Sequence, residues 1–167
     1  MKADSSTHDL LIALLLVQNA MSRCSELLFQ RHDLTDAQFN ILNLLALAGE
    51  PMDQLALTDK LLVGKSSVSI VLNRMAKAGL IERQQHPRDR RKMVLSLSLK
   101  GRAIWQTANP DYERKVQEIF GALPKGNRER FIDDLEVLYA ELRRTMAASS
   151  KEKQSLTLRQ FVAQLSE

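Results

Sequence analysis

The chain has 167 residues, 44% apolar and 26% charged, with 24 Lys and Arg against 20 Asp and Glu and a formal net charge of +4. These proportions fit one soluble globular domain with a sizeable core and exclude a disordered chain. A single cysteine, Cys24, excludes an internal disulfide or cysteine-rich zinc site, and the three histidines stand at no metal-ligand spacing, so no cofactor or metal is expected and a reducing, cytoplasmic setting is.

A first helix is predicted from about Thr7 to Gln30. Its longest apolar run, Leu10 to Val17, is too short to cross a bilayer, which takes about 20 residues. Asp4 and Asp9 ahead of the run do not fit a signal peptide. The run is expected to be a buried helix segment, with no membrane as partner. Leu10, Leu14, Val17, Met21, Cys24 and Leu28 follow 4-3-4-3-4 spacing, one helical face. Leu11, Leu15 and Leu27 widen that stripe, which implies burial on two sides.

A second helix opens on Thr35, where Thr35 and Gln38 form a capping box and Leu34 and Phe39 a hydrophobic staple. It continues through Ile41, Leu42 and Leu45 to Gly49-Glu50-Pro51. A third helix runs from Asp53, its N-cap, to Leu62. Val63-Gly64 is a tight break. The fourth, Lys65 to Ala78, stops at Gly79 and buries Val68, Val71, Leu72 and Met75.

The period then changes. Leu80 to Gln85 and Met93 to Leu97 read as strands, the second with Val94 and Ser96 alternating against Met93, Leu95 and Leu97. His86-Pro87-Arg88-Asp89-Arg90-Arg91 reads as a polar hairpin loop between them. Ser98 caps a fifth helix, which Pro110 is expected to kink or break, with Asn109 as a second start signal. A sixth helix spans about Lys125 to Met146, with Phe131, Leu135, Leu138, Tyr139 and Leu142 apolar. A linker, Ala147 to Gln154, precedes a short amphipathic helix from Leu156 to Leu165 that uses Leu158, Phe161, Val162 and Leu165.

The +4 is unevenly spread. Lys65 to Lys92 holds eight basic and two acidic residues, a net +6, and the remainder nets −2. A concentrated basic surface points to an anionic polymer as partner. Two short helices joined by a tight turn match a helix-turn-helix, whose second helix enters the DNA major groove by its N-terminal end. Here that end carries Lys65, Ser66, Ser67 and Ser69, followed by Asn73 and Arg74. Small hydroxyl residues allow close backbone approach and bond phosphates or base edges. Arg88, Asp89, Arg90, Arg91 and Lys92 follow at the tip of a ribbon, a wing suited to a narrow, negative minor groove.

The segments Leu57-x-x-x-Leu61, Ser67-Val68-Ser69, Asn73-Arg74-Met75-x-x-x-Gly79-Leu80-Ile81-x-Arg83 and Asp89-x-Arg91-x-x-x-Leu95-x-Leu97-Ser98-x-x-Gly101 resemble the winged-helix domain of the MarR family of transcriptional regulators. Ser98 stands for the family's usual Thr. With the flanking helices the resemblance covers about residues 8 to 146, and the tail lies outside it. It implies a mainly α fold (an α+β winged helix) of six helices with a two- or three-stranded wing hairpin. Residues 1–34 and 99–147 would form a helical dimerisation region, 35–98 the DNA-binding lobe, and 148–167 a C-terminal extension. It also implies a homodimer reading a pseudo-palindromic double-stranded operator, with repression the family's commoner mode. Asp89 would orient Arg91, which would reach the minor groove. Ile70 departs from the pattern, because many relatives carry a basic residue there.

Relatives often bind small aromatic anions between the dimer helices and the lobe. By that analogy Arg23, Phe29, His32, Phe39 and Trp105 are candidate effector residues. Plain core packing is the competing reading for each aromatic, and a surface pair with Asp33 that for His32. A peroxide-sensing branch of the family makes Cys24 a candidate redox residue, against a buried, inert one. No enzyme motif stands out. Asp133-Asp134-x-Glu136 reads as a solvated helix face. The alternative to DNA is a helical interaction module whose basic hairpin binds an acidic protein.

Overall fold

The computed structural model describes residues 5–61, 65–86, 89–149 and 157–166. These form α1 (Ser5–Gln30), α2 (Asp36–Ala48), β1 (Met52–Asp53), α3 (Gln54–Lys60), α4 (Lys65–Lys77), β2 (Ile81–His86), β3 (Asp89–Leu97), α5 (Leu99–Gly121), α6 (Lys125–Ser149) and α7 (Leu158–Ser166). The expected mainly helical architecture with a small wing sheet is present. The break at Val63-Gly64, the wing residues Pro87 and Arg88, and most of the expected linker lie outside the described residues.

Local signals start and stop these helices. The Gln38 amide donates to Thr35 Oγ1 at 3.3 Å and the Thr35 amide donates to Gln38 Oε1 at 2.8 Å, so both halves of the capping box form. Leu34 and Phe39 are both buried beside it. Asp53 caps α3 by accepting from the Leu55 amide at 2.7 Å. Gly79 follows α4 at φ 70, a left-handed conformation that glycine adopts without penalty.

The sheet has the order β1-β3-β2 and is antiparallel throughout. Two residues ahead of α3 supply its third strand, with Met52 opposite Leu95 and Asp53 opposite Val94. The hairpin is longer than the sequence suggests. His86, Asp89, Arg90 and Arg91 are strand rather than loop. An irregularity between Gln85 and His86 absorbs the shift and lets pairing resume as His86 opposite Asp89. The alternation on β3 is also incomplete, because Val94 and Leu95 are both buried.

Ser98 links wing and α5. Its hydroxyl accepts from the Gly101 amide at 2.9 Å and donates to the Gly79 carbonyl at 2.6 Å. The helix that follows runs on through Pro110, so of the expected kink or break the break does not occur. A proline in a helix interior costs about 3 kcal/mol. Packing on both sides offsets it. Ala108 is fully buried before the proline, and Asp111 and Tyr112 are tied to the lobe after it. Next to the proline, Asn109 Oδ1 is buried without a hydrogen-bond partner.

One core joins the pieces. Leu28, Phe29 and Leu34 from α1 and its exit pack with Phe39, Leu42 and Leu45 of α2, Leu57, Val68, Leu72 and Met75 of the helix-turn-helix, Leu80, Ile81 and Leu95 of the wing, and Ala108 of α5. The rest of α1 is not buried by its own chain. Leu10, Leu11, Leu15, Leu16, Val17, Met21 and Leu27 are exposed, so the expectation of a buried segment fails for the single chain. By length and composition alone α1 could cross a membrane, with an 18-residue window of mean hydropathy 1.3; counting only the uninterrupted eight-residue run missed this. Ile119, Phe120, Phe131, Val137, Leu142 and Met146 on α5 and α6 are exposed as well.

The sixth helix continues to Ser149, so Ala147, Ala148 and Ser149 are helix rather than linker. The acidic stretch on α6 is more than a solvated face: Asp133 and Glu136 hold α7.

Candidate nucleic-acid interface

The lobe is arranged so that α4 shows its polar side. Val68, Leu72 and Met75 are buried in the core, which turns Ser69, Ile70, Asn73 and Arg74 outward to solvent. Ile70 is 55% exposed, so it offers an apolar surface to whatever approaches α4.

An open groove of about 440 Å³ runs between α3, α4 and β3, lined by Asp53, Gln54, Leu55, Thr58, Ser69, Lys92 and Met93. It brings one expected residue of the recognition helix, Ser69, and one of the wing, Lys92, to a single concavity. Asp53, Gln54, Leu55, Thr58 and Met93 have no interface role in the sequence reading. They enter because β1 pairs with β3 and carries the start of α3 to the same edge, a non-local pairing with no local signal. Thr58 is tied back by its hydroxyl, which donates to the Gln54 carbonyl at 2.7 Å.

The remaining expected contacts divide as follows. Lys65, Ser66 and Ser67 form the first turn of α4, and Arg90 and Arg91 lie on β3, but their side chains fall outside the described residues. Arg88 falls outside altogether. Asp89 is half-buried on β3, opposite His86.

The candidate effector residues have different local partners. Phe29 and Phe39 are both fully buried, stacked with ring centroids 4.2 Å apart. Tyr112 of α5, which the sequence reading did not name, completes the cluster at 4.9 Å from Phe39. Burial pushes the Tyr112 hydroxyl above its usual value, and Glu113 and Asp36 add to the shift, so the phenol stays neutral. The Trp105 indole donates to Asn43 Oδ1 at 3.0 Å. Arg23 is exposed on α1, one residue from Cys24, which is half-buried.

His32 does not pair with Asp33. Its Nε2 lies 3.2 Å from Asp111 Oδ2, and Arg114 donates to the other carboxylate oxygen at 2.8 Å. The expected surface pair is thus a link from the exit of α1 to α5, with the His32 side chain 15% exposed. Among the described residues no cluster of three His, Cys, Asp or Glu could hold a metal ion.

Comparison with known proteins bears on this geometry. Residues 32–92 match the family model described as MarR family. The chain is 32% identical over 113 residues to the homoprotocatechuate degradative operon repressor of Escherichia coli, covering 67% of this chain and 76% of that protein. It is similar in fold to AbsC, a MarR family transcriptional regulator from Streptomyces coelicolor, with a TM-score of 0.79, 21% identity, and coverage of 86% of this chain and 98% of that one. It is similar also to the S. aureus MepR–DNA complex, with a TM-score of 0.71, 18% identity, and coverage of 78% and 96%.

Proposed function

The chain belongs to the MarR family of winged-helix transcriptional regulators, and from that premise we propose that it binds a pseudo-palindromic operator as a homodimer and represses transcription in the cytoplasm until a small aromatic effector lowers its DNA affinity. The DNA-binding regulator itself follows from the family. The observation that carries the fuller reading is the groove in which Ser69 of α4 meets Lys92 of the wing. A duplex seated there would present a major groove to Ser66, Ser67, Ser69 and Asn73. Its backbone would lie against Lys65, Arg74, Arg88, Arg90 and Lys92. Arg91, oriented by Asp89, would occupy the minor groove.

A second copy is the occupant proposed for the exposed apolar faces of α1, α5 and α6. Water-exposed leucines on this scale mark an interaction surface. The effector reading draws on the Escherichia coli relative, whose name ties it to an operon for degrading an aromatic acid. Its proposed place is the α1–α2–α5 junction around Arg23, Phe29, His32, Phe39 and Trp105. The well-packed Phe29–Phe39 stack would serve as a wall of that site rather than as its floor.

The experiment is duplex retardation as a function of salt. Binding should weaken steeply as salt rises, because each neutralised phosphate releases counterions. Arg91→Ala should cost about 1–3 kcal/mol of DNA affinity. Salt-insensitive binding, or an Arg91→Ala variant equal to wild type, would remove the wing from the interface. Repeating the titration with phenolic and benzoic acids tests the effector reading, which fails if none changes the affinity. Sedimentation equilibrium tests the dimer, which fails if only single chains are found.

A further inference from the structure

The C-terminal helix α7 is tied to α6 by a set of polar contacts. The Arg159 guanidinium reaches Asp133 Oδ1 at 2.5 Å and Glu129 Oε2 at 3.5 Å. The first backbone amides of α7 donate to one carboxylate, Leu158 to Glu136 Oε1 at 3.2 Å and Arg159 to Glu136 Oε2 at 2.8 Å. A capping box closes the same end, with Thr157 and Gln160 each donating from its amide to the other's side chain at 3.0 and 3.1 Å. The amides that a helix start leaves unpaired are thus met partly from within α7 and partly by α6.

Glu129, Asp133 and Glu136 share one face of α6. At 3.6 residues per turn they fall within about 60° of one another, and Phe131, Leu135, Leu138 and Leu142 lie about 150° around the helix. So α7 sits on the side of α6 away from its apolar stripe. Because Leu158 and Arg159 both meet Glu136, the start of α7 lies beside the middle of α6. The return is covalently possible within one chain. From Ser149 back to Glu136 is about 20 Å of helix, and the eight peptide steps from Ser149 to Thr157 reach about 28 Å at most.

We propose that α7 is a salt-releasable strap on the outer, acidic face of α6, opening and closing independently of the DNA-reading lobe. Two features make it releasable. A nine-residue helix has little stability of its own. The ion pairs are solvent-exposed and open to screening, with Arg159 48% and Asp133 63% exposed. Opening frees three carboxylates on α6 and leaves the buried core untouched.

The test is amide hydrogen exchange on the full chain, followed by mass spectrometry at low and high NaCl. High salt should speed exchange in α7 by about three- to tenfold while the α2 and α4 amides are unchanged. Arg159→Ala should do the same at low salt, and Glu136→Gln, which keeps an acceptor, should do less than Glu136→Ala. The melting temperature of the lobe and the oligomeric state should match wild type in each variant. Exchange in α7 that ignores both salt and Arg159→Ala would overturn the proposal. So would loss of lobe stability or a changed oligomeric state when the strap opens.

Discussion

Replacing Gly101 by alanine is expected to destabilise the lobe by on the order of 3 kcal/mol or more. At an ordinary helix position the same change stabilises by about 1 kcal/mol, so the sign alone is diagnostic. A Cβ on Gly101 would lie 1.9 Å from the Leu80 carbonyl oxygen and 2.9 Å from its carbon. Both are backbone atoms and cannot swing aside. The Leu80 amide donates to Met75 at 2.9 Å, its carbonyl accepts from the Ser98 amide at 3.2 Å, and the Ser98 hydroxyl fixes Gly79. Relieving the clash means pulling α5 from the wing and breaking the cap that starts it. Against a typical domain stability of about 5–15 kcal/mol, that is a large fraction. Urea unfolding monitored by circular dichroism measures it. A midpoint at or above wild type would mean that the helix start approaches the strand less closely than described.

Phe39→Ala is expected to cost about 3–5 kcal/mol. The ring is fully buried and packs against Phe29 at 4.2 Å and Tyr112 at 4.9 Å, so its removal opens a void where α1, α2 and α5 meet. Aromatic contacts of this kind add to the loss from area alone. Because Phe29 shares the cavity, Phe29→Ala and Phe39→Ala together should cost less than their separate costs added. The same unfolding measurement decides it, and a loss under about 1 kcal/mol for Phe39→Ala would contradict the packing.

What was legible in the sequence is what local chemistry encodes. The Thr35–Gln38 box, the Leu34–Phe39 staple, the caps at Asp53 and Ser98 and the stop at Gly79 are all short-range devices, and each forms. Where the sequence reading went astray, distant residues decided the outcome. Pro110 signals a break within its own few residues, but Ala108, Asp111 and Tyr112 lock both flanks to the lobe. His32 stands next to Asp33, yet its partner is 79 residues away. The charged run after Gln85 looks like a loop because charge favours solvent, and a two-stranded ribbon satisfies that preference equally well. The acidic stretch around Asp133 looks solvated in its own segment, but its partner Arg159 lies 26 residues on. The Thr157–Gln160 capping box that starts α7 is a further short-range signal.

The interface divides in the same way. Ser69 and Lys92 are recognisable from the helix-turn-helix and wing patterns. The groove that joins them depends on β1, two residues whose pairing partners lie some forty positions on. The apolar stripe of α1 was visible as a pattern, but whether its own chain covered it was not.

The central claim, that this chain reads duplex DNA through α4 and the wing, is tested most directly by in vitro selection from a random duplex pool with the purified protein. The account predicts enrichment of one pseudo-palindromic sequence, with half-sites about 10 base pairs or a multiple apart, and loss of that enrichment in Arg91→Ala. A pool that stays random, with no duplex retarded even at low salt, would contradict it.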